Sequence, residues 1–198
     1  MAYRPCCEQE ERDREVMLDY IRRNDDAFLR TNLVAHMTAS GWVVNPARDK
    51  VLMAYHKIYD SWSWTGGHAD GECDLLSVAL RECREETGVR NVHPVSRDIF
   101  SLEVLTVDGH EKRGVYVPSH LHMAAHEALA GRDEPAGGLG VVRIVLEADD
   151  RDALSVCEEE NSGVAWFALD DALKVSTEPW FVERIYKKLN DKLKTMQF

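Results

Sequence analysis

Apolar residues recur at helical spacing from about Glu8 to Asn24, where Val16, Met17, Tyr20 and Ile21 share one side among charges. This predicts an amphipathic helix within an N-terminal extension, residues 1–32, that packs on a main domain spanning 33–198. From there the period shortens to that of strands. His36 to Val44 and Lys50 to His56 predict a hairpin around Asn45-Pro46-Ala47-Arg48-Asp49, and Ser61 to Trp64 a third strand running into a turn at Thr65-Gly66-Gly67. Asp74 to Thr87 returns to the helical period, with Leu76, Ala79, Leu80 and Cys83 on one face and Gly88 placed as the C′ glycine. Further strands are expected at Ile99 to Val107, Leu121 to Ala125, Val141 to Leu146 and Val164 to Phe167, with a mobile loop at Glu127 to Gly140. Asp170 to Val175 predicts a short helix, and Pro179, at an N1 position, opens a last one that reaches about Lys194. Strands with one central helix and helices at the ends predict an α/β (α+β) fold, an α/β/α sandwich on a mixed sheet.

Composition narrows the partners. The 198 residues carry 35 acidic and 24 basic side chains, a formal charge of −11. Such a surface argues against a nucleic-acid backbone or an anionic membrane as partner. It leaves room for an anionic small substrate, because a bound metal inverts the local field. The five cysteines, Cys6, Cys7, Cys73, Cys83 and Cys157, form no C-x₂-C pair and no regular framework, against a zinc site or a secreted disulfide scaffold. The stretch Met1 to Glu15 lacks the apolar core of a signal peptide, and no apolar run approaches the roughly 20 residues that span a bilayer. The expectation is a reduced, soluble, cytoplasmic protein.

The chemistry converges on Gly67 to Val89, GHADGECDLLSVALRECREETGV. Glu82, Glu85 and Glu86 stand at i, i+3 and i+4 on the expected helix, an arc of about 100° centred roughly 120° from its apolar face. Three clustered carboxylates repel one another, and the negative C-terminal end of a helix does not favour them. A hard divalent cation would compensate both costs, and oxygen-only ligands favour Mg²⁺ or Mn²⁺ over zinc or copper. The bland alternative is a solvated acidic face. Against it stand the glycine-rich approach to the helix, the adjoining Arg81, and the helix stop at Gly88.

This segment resembles the Nudix box: a glycine, five residues, a glutamate, seven residues, then R-E-U-x-E-E-x-G-U with U apolar. Gly67, Arg81, Glu82, Glu85, Glu86 and Gly88 fall on six fixed positions, with Cys83 and Val89 at U positions. At residue frequencies near roughly 7%, six chance identities at fixed spacing are on the order of 10⁻⁵. The late Trp166-Phe167 and the acidic helix after it also resemble the family's ending. One position departs: Cys73 stands where the first glutamate belongs, with Glu72 one place early. In the family that glutamate supports the box arginine, so the departure bears on the orientation of Arg81 more than on the metal ligands.

The resemblance implies hydrolysis of a nucleoside diphosphate linked to another group, with Glu82, Glu85 and Glu86 holding Mg²⁺ (or Mn²⁺) and Arg81 orienting them. Glu85, Glu86 and Arg81 are the expected catalytic set. The general base is Glu86 or, less favoured, the run Glu158-Glu159-Glu160, which reads first as a solvated loop. Backbone N–H groups of Gly66 and Gly67 would approach substrate phosphates, and Trp64 or Trp62 could stack on a base or pack in the core. His120 and His122 alternate along an expected strand and so face one side, and Lys112 and Arg113 are basic loop candidates. A homodimer is open. The rival classes are a catalytically inactive nucleotide sensor, favoured by Cys73, and an isomerase resembling isopentenyl-diphosphate isomerase, disfavoured because no cysteine lies between Cys7 and Cys73.

Overall fold

The computed structural model describes residues 3–96, 100–107, 110–112, 115–117, 120–124 and 144–196. In chain order the first elements are α1 (Glu8–Arg23), β1 (Ala35–Val44), β2 (Lys50–His56), β3 (Ser61–Ser63), β4 (Thr65–His68) and α2 (Leu75–Thr87). Then come β5 (Val92–Pro94), β6 (Glu103–Val107), β7 (His110–Lys112), β8 (Val115–Val117), β9 (His120–Ala124), β10 (Ile144–Ala148) and β11 (Asn161–Ala168). The chain closes with α3 (Leu169–Val175), α4 (Pro179–Phe181), a π-helical turn (Val182–Tyr186) and α5 (Lys187–Thr195). The expected loop at Glu127 to Gly140 lies outside the described residues. The short strands β5, β7 and β8 were not anticipated, because three residues are too few to display a period.

Two compact units emerge, one formed by Met1–Ser40, Gly66–Ala79 and Ser96–Ile144, the other by Gly41–Thr65, Leu80–Val95 and Val145–Phe198. Both β1 and α2 pass through the boundary along the chain. In the first unit β6 pairs antiparallel with β9, and β9 runs parallel to the start of β1 with His122 opposite His36. Helix α1 buries Met17 completely, whereas Val16, expected on the same face, is half exposed. The Tyr20 hydroxyl anchors the helix by donating to the Ala35 carbonyl at 2.9 Å.

The expected turn at Thr65-Gly66-Gly67 is instead strand β4, paired with β1. Gly66 explains the difference. A Cβ there would stand 2.4 Å from the Ser40 Cβ and 2.7 Å from the Ala39 carbonyl oxygen. The glycine serves close approach of two backbones, which the sequence signals no differently from a turn.

In the second unit the strand order is β11-β2-β1-β10-β5, with β3 on β2. The β1–β2 hairpin forms as expected, antiparallel with Val43 opposite Leu52. Asn45 closes it, its Oδ1 accepting the backbone N–H groups of Asp49 and Lys50 at 3.1 Å each. Trp42, Val43, Val44, Val51, Leu52, Met53 and Leu146 are fully buried, and Trp42 stacks on Tyr186 with 5.2 Å between ring centroids. The antiparallel pairs β1–β2, β2–β11 and β6–β9, with the parallel pair β1–β9, give the mixed sheet and α+β class that the sequence predicts.

Candidate metal and hydrolase site

Helix α2 starts on a side-chain cap. Asp74 Oδ2 accepts the Ser77 hydroxyl at 2.7 Å, and its Oδ1 accepts the Ser77 N–H at 3.3 Å. Glu72 Oε1 accepts the Asp74 N–H at 2.8 Å, while Cys73 is exposed, its thiol 4.0 Å from the Gly71 carbonyl. At the other end Gly88 takes φ +75° and its N–H donates to the Arg84 carbonyl at 2.9 Å, the left-handed stop that the sequence predicts.

Between these ends the three glutamates differ in environment. Glu85 is exposed and Glu82 half-buried, but Glu86 is only 2% exposed. The bland alternative of one solvated acidic face therefore fails at Glu86, which lies one turn on from the buried Cys83 and borders the apolar face. Burial pushes the Cys83 thiol up to about 12, with the Glu86 charge adding to it. Arg81 Nη2 donates to Glu82 Oε1 at 2.8 Å. Burial raises the Glu82 carboxyl above its usual range. Arg81 opposes that shift, and the charges of Glu85 and Glu160 reinforce it.

The effect of Glu160 on Glu82 brings in a residue that the sequence left among solvated loops. Glu158, Glu159 and Glu160 are exposed, as expected. Their loop is nevertheless tethered, for the Lys57 N–H donates to the Glu160 carbonyl at 3.1 Å and the Glu160 N–H to the Cys157 carbonyl at 3.1 Å. The Glu160 charge acts on His56 as well. His56, missed by sequence reasoning, donates from Nε2 to the Trp64 carbonyl at 3.0 Å, and burial holds its imidazole below the usual range. A histidine closing an otherwise apolar strand was its only signal.

Trp64 sits among aromatic rings, 5.2 Å from Phe181 and 5.5 Å from Tyr186, the latter perpendicular. Trp62 meets Phe167 edge-on at 4.8 Å. Gly66 and Gly67 lie in β4, His120 and His122 in β9 and Lys112 in β7; Arg113 is outside the described residues. Among the described residues, the only set of three His, Cys, Asp or Glu ligand atoms all within 4.8 Å of one another is Cys6, Cys7 and Glu10. The α2 carboxylates do not form such a set, yet their all-oxygen donors fit a hard divalent ion.

A family model described as NUDIX domain matches residues 35–189. The chain belongs to the Nudix family. That places it among the Nudix pyrophosphohydrolases, the class the box implies, which generally use divalent metal ions. Helix α1 lies outside the matched residues. Among solved Nudix structures, a NUDIX family hydrolase from Clostridium perfringens is 18% identical over 78% of this chain and 96% of its own, with a TM-score of 0.51. A MutT protein from Methanosarcina mazei Go1 is 15% identical over 81% and 96%, with a TM-score of 0.51. RenU, a Nudix hydrolase from M. smegmatis, is 12% identical over 82% and 88%, with a TM-score of 0.50. At such identities the likeness is one of fold. A comparison with curated protein sequences finds no significant match. No described helix of this Nudix protein is long and apolar enough to cross a membrane.

Proposed function

We propose that this Nudix protein hydrolyses the pyrophosphate bond of a nucleoside diphosphate linked to another group, with Mg²⁺ or Mn²⁺ as cofactor. Glu82, Glu85 and Glu86 would hold the ion, which when bound neutralises developing charge and lowers the pKa of an attacking water. The observation that carries this reading is the set of unlike carboxylates on one helix: Glu86 buried, Glu82 held by Arg81, Glu85 open to solvent. Arg81 would orient Glu82.

Glu160 takes the proton of the attacking water in preference to Glu86. A base must be reachable by water, and Glu160 is exposed while its charge is felt at Glu82, whereas Glu86 is enclosed. Trp64 contributes through the aromatic cluster that holds it.

The test is a panel of ADP-ribose, NADH, sugar nucleotides, dinucleoside polyphosphates and nucleoside triphosphates, each incubated with and without Mg²⁺. Cleavage that needs the metal and falls at least a hundredfold in Glu85→Gln supports the reading. Glu160→Gln should lose turnover while keeping metal affinity. Nucleotide binding without turnover of any substrate would replace it with the sensor reading, for which the exposed Cys73 in the glutamate position is the motive.

A further inference from the structure

Among the described residues Trp180 is the only Phe, Tyr or Trp that stands exposed, at 46%. So large a ring ordinarily gains its stability from burial, and here half of that gain is forgone. The backbone beneath it is fixed. Pro179 precedes it at the start of the helix, the Val182 N–H donates to the Glu178 carbonyl at 3.1 Å, and the π-helical turn that follows buries Ile185 and Tyr186.

The ring is backed by others. Phe181 lies edge-on to Trp180 at 5.8 Å between centroids, and meets Trp64 at 5.2 Å and Tyr59 at 6.5 Å. All three of these partners are themselves partly exposed. From Tyr59 the row continues to His56, 6.0 Å away, on which the Glu160 charge acts as it does on Glu82. These rings and the α2 residue Glu82 belong to the same compact unit. An aromatic surface left open beside a candidate metal site is where the ring of a ligand is received.

Charge decides which end of a nucleotide suits this surface. The Glu178 carboxylate acts on the Tyr59 hydroxyl, and the Asp60 carboxylate accepts the Tyr55 hydroxyl at 2.9 Å. An acidic rim repels phosphate, whereas an uncharged base stacks on an aromatic face whatever its sequence identity. The other exposed apolar side chains, among them Leu29, Leu33 and Val34, are aliphatic and offer no such face.

We propose that Trp180 is the stacking platform for the nucleobase of the substrate, with Phe181 behind it, while the pyrophosphate is held at the α2 carboxylates. This rests on the hydrolase reading above and assigns the ring-bearing end of the substrate to α4.

The experiment reads binding rather than turnover, on the full chain with Mg²⁺. Equilibrium dialysis of ADP and of inorganic pyrophosphate compares the parent with Trp180→Leu and Trp180→Phe. Trp180→Leu, apolar but without a ring, should weaken ADP roughly tenfold or more and leave pyrophosphate within about twofold, and Trp180→Phe should restore most of the ADP affinity. CDP should lose as much as ADP, because every base has a stacking face. An equal loss of ADP and pyrophosphate, unchanged ADP affinity in Trp180→Leu, a loss that Phe does not restore, or no ADP binding by the parent would each overturn the platform. So would a parent that sediments as a dimer and a Trp180→Leu chain that sediments as a monomer, since the ring would then be a contact between copies. The hydrolase reading fails separately: no metal-dependent turnover, with Trp180-dependent ADP binding intact, leaves the platform standing in a nucleotide sensor.

Discussion

Gly88 faces Ser155 so closely that a Cβ on the glycine would stand 2.1 Å from the Ser155 Oγ and 3.0 Å from its backbone nitrogen. The pair also shares a backbone bond, the Ser155 N–H donating to the Thr87 carbonyl at 2.8 Å. The left-handed φ alone costs an L-residue about 1–2 kcal/mol. Gly88→Ala should therefore destabilise the fold by more than that, seen as a drop in Tm of several degrees. Adding Ser155→Ala should recover only part of the loss, because the backbone contact remains. A Gly88→Ala protein that melts like the parent would show that the helix end can move.

Gly66→Ala tests the approach of β4 to β1. With the Ser40 Cβ 2.4 Å away and the Ala39 carbonyl 2.7 Å away, no rotamer change relieves the clash. Overpacking of this kind costs about 1–3 kcal/mol. The denaturant midpoint should fall with the m-value unchanged. An unchanged midpoint would mean that β4 does not lie this close in solution.

Thiol labelling should sort the cysteines by environment. Cys6, Cys7 and Cys73 are exposed, Cys157 is half-buried, and Cys83 is buried with its thiol pushed up to about 12. The native protein should react quickly at the first three, slowly at Cys157, and at Cys83 only after unfolding, because the thiolate is the reactive form. Mass spectrometry after a short pulse of iodoacetamide identifies the sites. Early modification of Cys83 would contradict its burial.

His56 gives the fold an acid-side dependence. Burial holds its imidazole below the usual value, so the unfolded chain binds the proton more readily than the folded one. Its contribution to stability is present above the unfolded pKa of about 6.5 and is lost as pH falls through the lower folded value. His56→Gln, whose amide can still donate to the Trp64 carbonyl, should flatten stability against pH in that window. Urea titrations at pH 7.5 and at pH 5 compare the two proteins. The same slope in both would assign the acid-side loss to other groups.

The long periodic segments were legible from sequence. The Glu8 helix, the β1–β2 hairpin and the box helix fall within a residue or so of their predicted ends, because period, turn chemistry and the Gly88 stop all agreed there. Gly66 was misread because glycine marks both turns and close strand approach, and only the identity of the neighbouring strand separates them. The burial of Glu86 was not legible because helical geometry places it on the border of the apolar face, and which side of a border is covered depends on what packs there. Glu160 and His56 could not be joined to the box at all. They are 78 and 26 positions from Glu82 in the chain, and their meeting depends on β11 lying against β2 with Asn161 opposite His56.

The last helix carries a lesson about editing the chain. Between α4 and α5 the Lys187 N–H donates to the Val182 carbonyl five residues back, so this turn holds one residue more than an α-helix would. The wide turn absorbs that residue while keeping the phase between Phe181, which meets Trp64, and the buried Leu189 and Leu193 of α5. Removing one residue from Val182–Tyr186 would restore regular α-helical bonding and leave Leu189 and Leu193 near their present phase against Phe181, because the π turn winds one extra residue into almost the same rotation. This stretch should therefore tolerate loss of one residue where the regular helix α5 would not, whereas winding all five residues as an α-helix would swing Leu189 and Leu193 away from Phe181.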